Sequence, residues 1–227
     1  MVAGMDLAVE FSRRAPWITR FTINRVEYGG AYNPSDRRIP QFFARFPDVR
    51  TILELGSLEG GQTFLLAQHP GVARVLGIEG RVANIEKATF VRSVLGINNA
   101  EFLQANLEQV DLTSFDRFDI VFCCGLLYHL PEPWKLIRQL PQIASRLFLW
   151  TVYARDEEAP LEVEGLRGKE QCEGGPDEAR SGLSPKSIWL TLDSIKELLK
   201  RSGYQRVEII EKATGVYGLT VTLAATL

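Results

Sequence analysis

The stretch Ile52-Leu53-Glu54-Leu55-Gly56-Ser57-Leu58-Glu59-Gly60-Gly61-Gln62-Thr63 decides how this chain is read. Its apolar approach, from Arg50 to Leu55, predicts a buried strand, its glycines a tight turn, and Gly61 to Gln68 a helix. Glycines at such a junction let a ligand approach the backbone, and the helix start adds oriented N–H donors. The spacing is not the G-x-G-x-x-G of dinucleotide sites. It is E-x-G-x-x-x-G, with an acid two residues before the first glycine. A negative charge there repels a pyrophosphate and suits a cationic ligand, which argues against a nicotinamide-dependent oxidoreductase.

The pattern repeats outward from this stretch. Ala73–Ile78, Glu101–Ala105, Phe118–Cys124 and Leu147–Val152 are apolar runs that predict further strands. Val82–Leu95, with Ile85, Ala88, Val91 and Leu95 at helical spacing, and Pro133–Ile143, with a proline in its first turn, predict the helices between them. Strand–helix alternation implies a parallel sheet covered by helices on both faces, a doubly wound α/β fold. Near the end, Asp193–Ser202 predicts a helix closed by Gly203, and Arg206–Glu211 with Gly218–Ala225 predicts an antiparallel edge hairpin. Before the regular region, residues 1–48 predict a helical lid segment, with turn chemistry at Tyr28–Pro34 and a short helix at Ile39–Phe46. Residues 49–227 form the main domain. Residues 155–187 break the rhythm: acidic, with five glycines and no periodicity, they predict an insertion at about 155–190 that either covers the active site or is disordered.

Three further segments carry chemistry. In Leu76-Gly77-Ile78-Glu79-Gly80, Glu79 closes the second strand, where an acid can accept two hydrogen bonds from ribose hydroxyls. In Phe102–Glu108, Asn106 offers the donor and acceptor that an adenine edge needs, and Leu107 can cover the ring face; an ordinary asparagine turn fits those residues equally well. In Phe118–Pro131, Gly125-Leu126-Leu127-Tyr128-His129 follows the fourth strand and lies at the carboxyl edge of the sheet, where such folds bind ligands. His129, one of two histidines, is a candidate general base, or else shapes the pocket through backbone hydrogen bonds; His69, beside Pro70, reads as structural.

These motifs together resemble the class I methyltransferases, over about residues 50–152 and again from Thr191 to Leu227. The resemblance implies a seven-stranded, mostly parallel sheet of order 3-2-1-4-5-7-6 and S-adenosyl-L-methionine as cofactor. It assigns Glu54, Gly56, Ser57 and Gly60 to the methionine end, Glu79 to the ribose, and Asn106 with Leu107 to the adenine. Thr63, Gly80, Arg81, Cys124 and Gly125 complete the expected cofactor set. Asn106 departs from the acid common at its place. Tyr128 and His129 are the expected catalytic residues, and Trp150, Tyr153 and Trp189 the expected acceptor walls; Trp134, on a helix, reads as core. The segment Gly125–His129 is also similar to tRNA wobble-uridine carboxymethyl transferases, which use a carboxylated cofactor.

Composition narrows the partners. The formal net charge is −2 and the sequence pI about 5.8, which disfavours general nucleic-acid binding. Residues 1–50 hold eight arginines against five acids, and residues 156–180 nine acids against three bases; both read as solvated surfaces. No apolar stretch reaches the roughly 18–20 residues that cross a bilayer. Cys123, Cys124 and Cys172 show neither metal-ligand spacing nor a disulfide framework, so a cytoplasmic setting is expected. The expected acceptor is a small molecule with an oxygen or nitrogen nucleophile. A tRNA-modifying methyl or carboxymethyl transferase and a non-catalytic cofactor-binding subunit are the alternatives. Oligomeric state is not legible.

Overall fold

The computed structural model describes residues 5–216 and 218–227. Residues 1–4 of the expected N-terminal segment lie outside the described residues. Two compact units divide the chain, Met1–Ala105 and Asn106–Leu227.

The first unit opens with α1 (Leu7–Arg13), capped by Asp6, whose carboxylate accepts from the N–H groups of Ala8 and Val9. An antiparallel pair follows, β1 (Arg20–Ile23) and β2 (Val26–Gly29), then α2 (Arg38–Arg45). The N-terminal region thus carries a hairpin beside its two helices. Its hairpin turns at Asn24 and Arg25, both with positive φ, the backbone twist a two-residue hairpin requires. The regular region begins with β3 (Thr51–Leu55), α3 (Gly61–Ala67), β4 (Arg74–Glu79), α4 (Val82–Leu95) and β5 (Ala100–Gln104). β3, β4 and β5 pair in parallel, as strands joined by crossover helices must. Ile52, Leu53, Leu55, Val75 and Ile78 are fully buried, so β3 and β4 read as apolar on both faces.

The second unit holds β6 (Ile120–Cys124), a 3₁₀ turn at Leu127–His129, α5 (Pro133–Ile143) and β7 (Arg146–Val152). The span 155–190 carries three short strands. It folds as β8 (Leu161–Val163), β9 (Leu166–Cys172) and β10 (Lys186–Leu190), a three-stranded antiparallel sheet of its own. Then come α6 (Leu192–Arg201), whose Thr191 cap accepts from Ser194 N–H, and the long hairpin β11 (Arg206–Gly215) and β12 (Gly218–Thr226). β6 runs parallel to β7, while β12 is antiparallel to both β7 and β11.

The seven-stranded sheet has the hydrogen-bonded order β11-β12-β7-β6-β3-β4-β5. Counting only its own strands from the N-terminus, that is the expected 3-2-1-4-5-7-6. Trp134 is buried on α5, as a core residue should be.

Candidate functional site

The glycine-rich turn is built within the first unit. β3 ends at Leu55, and the N–H groups of Gly56 and Ser57 both donate to the Ile78 carbonyl at 2.9 and 3.0 Å, which pins the turn to the end of β4. Gly60 has φ +83°, and a Cβ there would lie 2.8 Å from the rings of both Phe64 and Phe102, so conformation and space each demand glycine. Glu79 is 6% exposed, and its two carboxylate oxygens accept from Leu58 N–H at 3.0 Å and Arg81 N–H at 2.9 Å. It ties the turn to the start of α4 and keeps lone pairs for further donors, since a carboxylate offers about four acceptor sites. Gly80 is engaged through its carbonyl, which accepts from the Gln104 amide at 3.0 Å.

Glu54 is the charged centre of this half. It is 2% exposed, and the Thr63 hydroxyl donates to it. Burial pushes its carboxyl up to about 7; the Thr63 hydrogen bond and the Arg38 charge oppose that rise, and Glu79 adds to it. A buried acid that ionises with such difficulty is suited to a cationic partner. Beside it, Ser57 Oγ is buried and makes no hydrogen bond among the described residues. An acid in need of a cation and an orphaned hydroxyl fit the ammonium and sulfonium end of S-adenosylmethionine. Arg38 is held by Asp36 and by the Tyr32 hydroxyl at 2.6 Å.

Glu54 yields a pH prediction. Because its ordinary value is 4.5, the fold favours the neutral carboxyl. That contribution to the stability of the empty protein is fully present below 4.5 and is lost as pH rises through about 7. Cation binding runs the other way. Affinity for S-adenosylmethionine should rise roughly tenfold from one pH unit below that value to one unit above. Calorimetric titration across that window measures it, and a pH-independent affinity would remove Glu54 from the cation's surroundings.

One residue of the turn was not expected to matter. Glu59 is fully buried, accepts from the N–H groups of Ile18 and Thr19 at 3.0 and 2.6 Å, and pairs with Lys87 at 3.0 Å. The segment before β1 is thereby fastened to the glycine turn. A second acid in a turn carries no sequence signal for such a contact, since its partners lie 40 and 41 residues away.

The second unit holds the other expected residues. Asn106 closes an asparagine turn, its side-chain oxygen accepting from Glu108 N–H at 2.9 Å, and Leu107 is buried. Cys124 ends β6 opposite Trp150 of β7. Gly125 has φ +93° with open space where a Cβ would stand, and its N–H donates to the Trp150 carbonyl. Tyr128 is half-buried, with the rings of Trp150 and Trp189 edge-on to it at 6.1 and 6.2 Å. Trp189 comes from β10, so the insertion delivers one wall of this aromatic corner. Tyr153 is half-buried just beyond β7, its N–H bonded to the Leu219 carbonyl. His129 faces Glu173, with Nδ1 3.0 Å from the nearer carboxylate oxygen. Glu173 was not expected, because nothing in an acidic loop marks one acid among nine. His69 stacks on Phe43 at 3.5 Å between ring centres, a structural placement.

Comparison with known proteins bears on this arrangement. A family model described as a methyltransferase domain matches residues 48–211. The chain is 31% identical to the N-terminal domain of EvdMO1 crystallised with SAH bound, with a TM-score of 0.89 and coverage of 98% of this chain and 97% of that one. The same EvdMO1 domain crystallised in the presence of SAH and D-fucose is similar at 30% identity and TM-score 0.88, over 98% of this chain and 97% of that one. A tRNA U34 carboxymethyltransferase of Sulfurimonas denitrificans is 23% identical over 55% of this chain and 36% of its own length. The chain thus spans about a third of the curated relatives it matches. Among the described residues no helix is long and apolar enough to cross a membrane. With its glycine turn, its buried acids and the match across most of its length, the chain belongs to the methyltransferase-domain family.

Proposed function

We propose that this enzyme methylates a hydroxyl of a small molecule, with a monosaccharide as the acceptor class. The observation that carries this is the ordered insertion sheet. β10 brings Trp189 edge-on to Tyr128, as β7 does Trp150, so three rings gather just past the carboxyl end of β6. Aromatic walls suit the C–H faces of a sugar ring as well as other apolar acceptors. The similar EvdMO1 domain crystallised in the presence of D-fucose supports the sugar class.

Glu54, Ser57 and Thr63 are assigned to the methionine end of the cofactor, Glu79 and the Arg81 backbone to its ribose, and Asn106 with Leu107 to its adenine. Bound there, S-adenosylmethionine would supply an electrophilic methyl group to the acceptor oxygen and would leave as the neutral thioether, which keeps the C–S electron pair. His129 takes the hydroxyl proton on Nε2, so the new ether leaves neutral and the imidazole becomes imidazolium. Tyr128 and Trp150 orient the acceptor, and the insertion excludes water.

A tRNA acceptor is the second reading, favoured by the carboxymethyltransferase relatives. Against it, the N-terminal arginines are occupied by neighbouring acids: Arg13 and Arg14 by Glu10, Arg20 by Glu27, and Arg38 by Asp36, which leaves less charge for phosphates. The test is transfer of labelled methyl from S-adenosylmethionine to a panel of monosaccharides that includes D-fucose, run beside bulk tRNA and carboxy-S-adenosylmethionine. Label on a sugar supports the proposal. Label on tRNA alone, or turnover only with the carboxylated cofactor, overturns it.

A further inference from the structure

His129 and Glu173 lie 44 residues apart in the chain, yet Nδ1 stands 3.0 and 3.2 Å from the two carboxylate oxygens. The carboxylate is itself immobilised. Ser181 Oγ and Gly182 N–H donate to one oxygen and Ser187 Oγ to the other, each at 2.6 Å. The Glu173 side chain is 7% exposed. Burial pushes its carboxyl up, but the three donors and the charge of His129 outweigh that, and it rests below the ordinary carboxylate range. It is therefore ionised at neutral pH. An ionised carboxylate only accepts, so the ring nitrogen facing it carries the hydrogen, and Nε2 is the nitrogen that can take up a proton.

The segment that bears Glu173 is fixed at several points. Ser184 donates to Glu108 through both its N–H and its hydroxyl, at 3.2 and 2.6 Å. Ile188 N–H donates to the Leu130 carbonyl at 2.9 Å, just past the 3₁₀ turn. A Cβ on Gly182 would lie 2.4 Å from the His129 carbonyl oxygen, so this close approach requires a residue without one. The carboxylate is thus held behind the imidazole by its own loop.

We propose that Glu173 is the positioning residue for His129: it fixes the Nδ1–H tautomer and stabilises the imidazolium that forms when Nε2 takes the acceptor's proton. The physical basis is that of a buried carboxylate behind a catalytic imidazole. The proposal rests on the hydroxyl-acceptor reading. A mere latch for the loop would need only hydrogen-bond acceptors at position 173, whereas positioning needs the negative charge. Glu173 and Tyr128 face the imidazole, the Tyr128 ring centre 4.2 Å from that of His129. Glu108 is spoken for by Ser184.

Glu173→Gln separates the two roles, because it keeps shape and an acceptor oxygen but loses the charge. Ring-nitrogen NMR of the full chain reads the result directly. There are two histidines, and His69, stacked on Phe43, is the internal control. The wild-type His129 ring should carry its hydrogen on Nδ1. In the variant its midpoint should fall by about one pH unit, with His69 unmoved. With S-adenosylmethionine and D-fucose, kcat should fall roughly tenfold to a hundredfold, its acid limb moving to lower pH while KM for the cofactor holds. A wild-type ring protonated on Nε2, or a His129 midpoint identical in both proteins, would overturn the proposal. The wild-type tautomer decides even if the variant does not fold. Failure of the acceptor reading shows separately, as no transfer to any monosaccharide alongside the expected ring-nitrogen behaviour.

Discussion

Replacing His129 by alanine should lower kcat for methyl transfer to a hydroxyl acceptor about a hundredfold to ten-thousandfold, with the affinity for S-adenosylmethionine unchanged. That range is what a positioned general base contributes when a proton must leave in the transition state. The hydroxyl of an alcohol is a poor nucleophile until its proton has somewhere to go, and the imidazole is the group proposed to receive it. The side chain is 20% exposed at the carboxyl edge of β6, so truncation leaves a gap and not a collapsed core. Cofactor affinity should hold because the acids assigned to the cofactor, Glu54 and Glu79, belong to β3 and β4. Single-turnover transfer of labelled methyl, with calorimetry of cofactor binding on the same preparation, distinguishes the cases. Full turnover in the variant would mean that methyl transfer here proceeds by positioning alone.

The second large effect is expected at Glu79. Glu79→Ala should weaken binding of both S-adenosylmethionine and its demethylated product by about 1–3 kcal/mol, roughly fivefold to more than a hundredfold, from lost charged hydrogen bonds to the ribose. The structure adds a reason to expect the upper end. The same carboxylate accepts from Leu58 and Arg81, so alanine strands two backbone donors and loosens the glycine turn. Glu79→Gln, which can still accept from one of those donors, should fall between the two. Calorimetric titration of the three proteins measures it. Equal affinities in all three would show that the ribose is held elsewhere.

The seven-stranded sheet was legible because its central strands, β3, β4, β6 and β7, are apolar and each crossover helix carries its own punctuation. Val82–Leu95 and Pro133–Ile143 could be read to the residue, one closed by Gly96 in the left-handed conformation, the other opened by a proline. The two small sheets were illegible for local reasons. The N-terminal hairpin turns on Asn24-Arg25, and an arginine at positive φ gives no turn signal of the Asn-Gly kind. In β9 two alternate positions, Leu166 and Gly168, are buried, and a glycine there shows no hydropathy at all. Glu54 and Glu79 stood out in the sequence because each lies at or next to the last residue of an apolar strand. Glu173 could not, since its meaning comes only from the fold that brings it to His129.

The buried Glu59 has a consequence for motion. Its carboxylate takes two backbone donors from Ile18 and Thr19 as well as the charge of Lys87, and a buried charge stripped of its partners costs about 3–5 kcal/mol. The glycine turn and the residues before β1 are therefore expected to open and close as one cooperative foldon rather than as two independent loops, which hydrogen exchange of their amides would measure. Linkage then makes the coupling reciprocal: any ligand that quiets the turn also quiets the N-terminal segment, and restraint of that segment raises the affinity of the turn by the same factor.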